Sequence, residues 1–189
     1  MPGSSSACLA DDLLTNIATL DRVLETHAAE LGEDFAAYRN HAYRVANLCA
    51  ALNPGDSQTI ERIAIAAAFH DLGIWTARTF DYLAPSIELA CAHLGCAGHE
   101  DWRAGISGMI REHHRIRRVR DDESGLIEPF RCADWIDVSR GLLTFGLPRA
   151  RLREIFARWP NAGFHKRLVQ LTLREACRHP LRPVPVLKW

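Results

Sequence analysis

The stretch of sequence from residue 63 to residue 73 constrains the fold more than any other part of the chain. Apolar and small residues with helical spacing run up to Phe69, and His70 and Asp71 follow side by side. Gly73 then predicts the end of the helix. A carboxylate at the end of a buried helix needs a partner, because an isolated buried charge is costly. A cation is one such partner, since imidazole and carboxylate form a common ligand set for transition metals. A hydrogen-bonded helix end without metal is the alternative.

Two further residues of the same ligand types lie on other predicted helices. His41 comes 29 residues before His70 and lies near the apolar face of a helix predicted over residues 34–52. Asp134 lies on an apolar helix predicted over residues 129–143. The chain therefore contains His, then His-Asp, then Asp, each on its own predicted helix.

This order of residues resembles the HD-domain superfamily of metal-dependent phosphohydrolases, over residues 33–145 of the chain. The resemblance rests on His41 in the segment Tyr-Arg-Asn-His, on the His-Asp pair before Leu-Gly, and on Asp134 in an Ala-Asp segment. It implies an all-α fold, a single-domain compact helical bundle of the HD-domain type. It also implies that Asp71 is both a metal ligand and the candidate catalytic base.

The chemistry of the ligand set indicates which metals it suits. Two imidazoles and two carboxylates suit a divalent transition metal, namely Mn, Fe, Co, Ni or Zn. The residues that supply them are His41, His70, Asp71 and Asp134. His93 and the pair His113-His114 come later, and this order resembles the dinuclear branches of the superfamily, in which Asp71 would bridge two ions. The alternative is one ion, with the later histidines lining the pocket and donating to phosphate.

The resemblance implies a metal-dependent phosphohydrolase that cleaves a small phosphate ester, with a nucleotide as one option, by metal-activated water. Arg44, one turn after His41, and Arg115, next to the His-His pair, are the candidates for contacts with the substrate phosphate. Two other functions stay open. One is a di-iron oxygenase on the same scaffold, and the other is a non-catalytic module that binds a ligand.

Two branches of the superfamily fit the sequence poorly. No Lys follows the His-Asp pair and no Gly-Tyr-Pro follows His113-His114, so the cyclic-di-GMP phosphodiesterase activity does not carry over. The nucleotidase branch has an acidic residue soon after the His-Asp pair, whereas the first one here is Asp81. The 5′-nucleotidase activity therefore does not carry over either.

Composition narrows the classes of partner and compartment. Lys and Arg number 23, as do Asp and Glu, and a net charge of zero argues against a dedicated nucleic-acid-binding protein. No apolar run approaches the roughly 20 residues of a membrane span, so no membrane association is expected. The six cysteines are scattered without a Cys-x-x-Cys pair, which favours free thiols in a reducing compartment. The expected location is cytoplasmic.

The chain is predicted to form one helical domain, residues 10–179, between a flexible leader, residues 1–9, and a Pro-rich C-terminal tail, residues 180–189. A hydrophobic patch around Trp159 or Trp189 is either a homodimer face or part of a packed tail, and both stay open. Further helices are predicted over residues 10–31, from 57 to the His-Asp pair, and over 87–94, 100–114, 149–159 and 164–177, with an irregular segment over 74–84.

Overall fold

The structure is a computed structural model that describes residues 12–79 and 81–178, and in these residues it is mostly helical without a β-strand. The all-α prediction is confirmed for this part of the chain, whereas the leader (1–9) and the tail (180–189) lie outside it. The α-helices are α1 (Ala18–Thr26), α2 (Ala28–Leu31), α3 (Phe35–Leu52), α4 (Ser57–Phe69), α5 (Gly73–Thr76), α6 (Leu83–Ala97), α7 (Arg103–Glu112), α8 (Ile127–Val138), α9 (Arg149–Arg158) and α10 (Phe164–Arg178).

The central helix of the fold is α3, which packs against α8, α4, α1 and α9. Every residue from 41 to 49 is buried, so this part of α3 is enclosed on all sides. The sequence predicts only one apolar face, because the same stretch contains the polar residues His41, Arg44 and Asn47. Buried polar side chains need internal partners. Asn47 has one in the backbone N–H of Leu14, which donates to its Oδ1 at 2.8 Å.

Helix α4 carries the His-Asp pair to the centre of the fold. It begins at a capping residue, since Asp56 Oδ1 accepts a hydrogen bond from the Thr59 backbone N–H at 2.8 Å, and this confirms the predicted start. Residues 63–70 are all buried. Four of these eight residues are alanine, which lets α3 and α7 pack closely on α4. The helix ends at Phe69, with His70 as its C-cap.

Some helix boundaries differ from the sequence predictions. The segment 74–84 was predicted to be irregular, but it contains most of α5 and the start of α6 at Leu83. Pro85 is compatible with the first turn of α6, where the backbone N–H has no intrahelical partner. The first helix begins at Ala18 rather than at residue 10, because the backbone before it donates hydrogen bonds to side chains of α3 instead.

The prediction of free thiols agrees with the structure. Free thiols are found at all four cysteines whose side chains the structure describes, and of these Cys49 and Cys132 are buried. Burial raises the pKa of Cys132 to about 12, so this thiol stays protonated. No helix among residues 12–79 and 81–178 combines the length and the apolar character that a membrane span needs.

A close approach of two backbone segments requires glycine at residue 73. A Cβ atom there would lie 2.5 Å from the Tyr82 carbonyl oxygen and 2.9 Å from the Ser86 hydroxyl. We therefore expect Gly73→Ala to lower the free energy of unfolding by about 2 kcal/mol, as in other overpacked cores, and urea denaturation measures it. Gly105→Ala on α7 is the control, because its Cβ would lie 3.2 Å from the Ser124 side chain. It should change stability by less than about 1 kcal/mol, and equal losses would contradict the steric explanation.

Candidate metal centre

Four helices bring six ligand-type side chains to one buried point. They are His41 on α3, His70 and Asp71 at the end of α4, His113 and His114 at the end of α7, and Asp134 on α8. The first three histidines have no exposed surface, and Asp71 and Asp134 are 2% and 1% exposed. The structure thus brings together six of the seven residues predicted as metal ligands, and His93 is the exception.

The first group of ligand atoms surrounds the two imidazoles of His41 and His70. Their Nε2 atoms lie 2.9 Å apart. Asp71 Oδ2 lies 3.6 Å from the Nε2 of His41 and 3.5 Å from that of His70. Asp134 Oδ1 lies 3.6 Å and 3.9 Å from the same two nitrogens. Two nitrogens and two carboxylate oxygens therefore face one another at distances that a shared cation would explain.

The second group of ligand atoms lies on the other side of Asp71. The Nε2 of His113 is 3.3 Å from Asp71 Oδ1, and the Nδ1 of His114 is 3.5 Å from Asp134 Oδ2. One ligand atom each from Asp71, His113 and His114 lies within 4.8 Å of the others. Asp71 therefore faces the first group with one oxygen and the second group with the other, so its carboxylate would be available to an ion in either group.

Hydrogen bonds of Nδ1, the ring nitrogen that faces away from the cluster, fix the orientation of three imidazoles. The Nδ1 of His70 lies 2.9 Å from the Ala67 carbonyl oxygen, and the Nδ1 of His113 lies 2.7 Å from the Ile110 carbonyl oxygen. A carbonyl oxygen only accepts, so in both rings Nδ1 carries the proton and Nε2 offers its lone pair to the cluster. The Nδ1 of His41 is 2.6 Å from a carboxylate oxygen of a further residue, Asp137. A carboxylate also accepts here, so Nδ1 of His41 carries a proton and Nε2 faces the cluster.

Asp137 is a site residue that the sequence analysis did not identify. It is buried on α8 and binds both His41 and the guanidinium of Arg44, through the Nε and Nη2 atoms of that arginine. A signal was present, because Asp137 follows Asp134 by three residues and so lies on the same face of the helix. Its role is to hold the His41 ring in place, which is what the outer partner of a metal-bound histidine does.

Arg44, a predicted phosphate contact, is placed behind the cluster instead. It is 1% exposed, and its guanidinium is bound to Asp137 and to the carbonyl oxygens of Trp159 at 3.1 Å and Pro160 at 3.3 Å. A buried guanidinium must use its donors on internal acceptors. Arg115, the other candidate, remains half-buried next to His114, with Nη1 3.5 Å from Glu112.

His93, a predicted ligand, is not brought to the cluster. It lies on α6 with its ring against Phe69, at a centroid distance of 5.4 Å, and it is half-buried. The buried residues on that helix include Ser86, Ala90 and Leu94, spaced by four, and His93 lies one position off this line. A step of one residue turns a side chain by about 100° around the helix, so His93 points elsewhere.

Unsatisfied polar atoms mark the cluster as a place for a cation. Asp71 Oδ1, Asp134 Oδ1 and His113 Nε2 are fully buried and form no hydrogen bond of good geometry among the described residues, although the Asp71 and His113 atoms lie 3.3 Å apart. Buried polar atoms normally have a partner, because leaving one unsatisfied costs about 1–3 kcal/mol. All three atoms are of the types that bind divalent transition metals. The residues present therefore fit one ion in the first group and a second ion between Asp71, His113 and His114.

Metal binding needs neutral imidazoles and ionised carboxylates. The pKa shifts of His70 and Asp71 favour these forms, whereas the raised pKa values of His113 and Asp134 mean that an ion would displace protons there. Burial lowers the pKa of His70 to about 3, against the opposing effect of Asp71. Burial alone would raise the pKa of Asp71, but His70 and His113 outweigh it and hold that pKa well below its usual range. For His41 burial lowers the pKa, yet the hydrogen bond to Asp137 raises it to about 9. An ion would therefore displace a proton from His41.

Solvent reaches the cluster on the side of His114. Its side chain is 19% exposed, whereas the other five ligand side chains are at most 3% exposed. The hydroxyl of Tyr82, a buried residue, lies 2.6 Å from His114 Nε2. Arg115 and the exposed residues 116–118 follow directly in the chain. A molecule that approaches the cluster therefore meets His114 and the basic segment first.

Comparisons of the chain with protein-family models, with curated proteins and with solved structures give no match. The class of the site therefore follows from its own residues. The protein is a helical protein with a buried His/Asp cluster that is compatible with a metal site of the HD type.

Proposed function

We propose that this protein is a metal-dependent phosphohydrolase of the HD type, which cleaves a small phosphate ester. The observation that carries the proposal is the set of buried metal-ligand atoms around Asp71. Three of these atoms form no hydrogen bond of good geometry among the described residues. A purely structural core gains little from unsatisfied ionisable groups, since each lowers stability. A site that binds cations for catalysis explains them.

The proposal assigns metal binding to six residues of the chain and proton transfer to one of them. His41, His70, Asp71 and Asp134 would hold one ion, and Asp71, His113 and His114 a second one. A bound ion would supply Lewis acidity toward a phosphoryl oxygen and would lower the pKa of water. Asp71 would be the base that accepts the proton of the attacking water. Its low pKa keeps it ionised at neutral pH but makes it a weak base, so the transfer would need the acidity that a bound ion gives to water.

Substrate would enter from the side of His114. Arg115 follows His114 directly in the chain, and the next three residues, Ile116, Arg117 and Arg118, are exposed. Arginine binds phosphate oxygens in a bidentate manner. The proposal assigns the phosphate contact to Arg115, since Arg44 is bound to Asp137 behind the cluster.

The metal content of three proteins tests the proposal. We expect the wild type to bind a divalent transition metal, His70→Ala to lose most of it, and His93→Ala to keep it. The reason is that His70 Nε2 faces Asp71 and Asp134, whereas His93 packs against Phe69. Elemental analysis after purification and desalting measures the effect. Both variants remove one imidazole, so His93→Ala is a matched control.

Activity assays separate the proposal from its two rivals. Wild-type protein should release inorganic phosphate from one or more members of a panel of nucleotides and sugar phosphates, and metal-free protein should not. Two irons per chain with oxygen consumption and no phosphate release would replace the proposal with an oxygenase. Absence of bound metal under every loading condition would leave only a ligand-binding module.

A further inference from the structure

A cavity of about 660 Å³ lies on the far side of Arg44 from the metal centre. Its walls come from α3, from the chain that follows α8, from α9 and from the start of α10. This volume is typical of sites that bind small organic molecules. Nothing in the proposed hydrolase mechanism uses it.

The cavity has a strong excess of positive charge. Arg140, Arg149 and Arg153 line it together with Arg44, and no Asp or Glu is found among the described residues of its wall. Arg44 is neutralised by Asp137, but the other three arginines are exposed and form no ion pair with any described residue. Three guanidinium groups around one cavity repel one another, and an anion between them would remove the repulsion.

Two of these arginines lie at positions that are unfavourable for them, one because of its backbone conformation and the other because of the helix dipole. Arg140 follows α8 with a φ of 54°, a left-handed conformation that favours glycine. Arg149 is the first residue of α9, where the helix dipole is positive and a cationic side chain is destabilising. The Pro148 N-cap gives this helix end no side-chain acceptor. A bound anion would interact favourably with both the side chains and the helix end.

The cavity and the metal centre are separate sites with one wall in common. The guanidinium of Arg44 binds Asp137, and Asp137 binds the Nδ1 of His41 at 2.6 Å, while the Nε2 of that ring faces the metal ligands. Arg44 and Asp137 therefore lie between the two sites. Arg44 lines the cavity, whereas Asp137 and Asp71 do not.

We propose that this cavity is a second binding site, for a small molecule that carries phosphate groups. Arg140, Arg149 and Arg153 would bind the phosphates, because arginine matches their oxygens in a bidentate geometry. Phe156 and Leu152 form the apolar part of the wall and would pack against the rest of the ligand. The site does not depend on the hydrolase activity, since none of its exposed residues belongs to the metal centre.

Isothermal titration with inorganic triphosphate tests the site in the full-length protein. We expect wild type to bind it, and the double variant Arg149→Gln/Arg153→Gln to bind it at least about 10-fold more weakly, since each lost charge-assisted hydrogen bond has about that effect. Arg151→Gln is the control for a lost charge on α9, because it removes one positive charge from that helix outside the cavity wall. Wild-type affinity in the double variant would overturn the proposal, since binding would then occur elsewhere, including at the metal centre.

Arg140→Gly separates a loss of binding from a loss of folding. Glycine relieves the left-handed backbone conformation, so the urea midpoint of the variant should rise above that of wild type. Its affinity for triphosphate should nevertheless fall at least about 10-fold, because the guanidinium is removed. A more stable variant that binds as well as wild type, or a wild type that binds no triphosphate at low salt, would also overturn the proposal.

Discussion

Replacing Asp71 with asparagine is expected to reduce phosphate release by about 10³-fold or more and to remove metal from both ligand groups. Its Oδ2 lies 3.5 Å from His70 Nε2 and its Oδ1 lies 3.3 Å from His113 Nε2, so a single carboxylate faces both groups. The amide keeps the shape of the side chain but has no charge and only one acceptor oxygen. Elemental analysis and a phosphate-release assay on the same preparations measure both effects.

Two companion variants define what the Asp71 result means. His113→Ala removes a ligand of the second group alone, so it should keep the ion held by His41 and His70. Asp101→Asn removes a carboxylate from the exposed surface and should leave metal content and activity unchanged. Full metal content in Asp71→Asn would contradict the bridging role. Equal metal loss in Asp71→Asn and His113→Ala would show that the two groups bind as one unit.

Stability supplies a second readout for Asp71 that needs no substrate. An ion that binds only the folded state stabilises it, by about 2.7 kcal/mol when its concentration is 100 times the dissociation constant. Added metal should therefore raise the urea midpoint of the wild type and leave that of Asp71→Asn unchanged. This comparison separates a defect in metal binding from a defect in chemistry alone.

The first half of the metal centre was predictable because its signals are local. The apolar run before His70 fixes a buried helix, and the adjacent Asp71 must then share its environment. His113 was also predictable from the sequence, because it lies on the same helix face as the buried residues Ile106 and Ile110 of α7. In each case the helical period alone decides which face a side chain is on.

The different outcomes for His93 and His113 show that spacing along the sequence is not sufficient to identify a metal ligand. Both histidines lie at helix positions with apolar neighbours, and their distance from His70 gives no preference. The decisive difference is one residue of helical phase, which places His93 beside Phe69. Counting candidate ligands in order overlooks this rotation, whereas aligning each one with the buried residues of its own helix detects it.

The partner of Arg44 was not predictable from local signals. Arg44 and Asp137 are 93 residues apart, and their contact depends on the packing of α3 against α8. The sequence does show that Arg44 follows His41 by three residues and that Asp137 follows Asp134 by three. Each helix thus places an ionisable residue one turn beyond a ligand, but only the packing shows that the two residues meet.

Replacing Arg44 with methionine is expected to lower the free energy of unfolding by about 3–5 kcal/mol. Arg44 is 1% exposed and Asp137 has no exposed surface, so the variant leaves a buried carboxylate without its cationic partner. Burial would raise the pKa of Asp137, but Arg44 and His41 together hold it well below its usual range, so the carboxylate is ionised at neutral pH. Urea denaturation at neutral pH measures the loss.

The matched control for Arg44→Met lies on the same helix. Arg39 binds Asp21 with its Nε 2.7 Å from Oδ1, and the two side chains are 33% and 24% exposed. Arg39→Met breaks the same kind of pair in contact with solvent and should cost only about 1 kcal/mol. Similar losses for Arg39→Met and Arg44→Met would contradict the importance of burial. Arg44→Lys keeps the charge but not the bidentate geometry, so an intermediate loss is expected.

The same pair should also control metal affinity, which a purely structural pair would not do. Asp137 accepts from the Nδ1 of His41 at 2.6 Å, and Phe164 stacks on the His41 ring at a centroid distance of 4.0 Å. Asp137→Asn removes the charged acceptor and should weaken metal binding by about 10- to 100-fold, the usual effect of losing an outer partner of a metal-bound histidine. Arg44→Met should weaken it less, because Asp137 remains in place. If Asp137→Asn reduces stability but binds metal like wild type, Asp137 stabilises the fold and does not position His41.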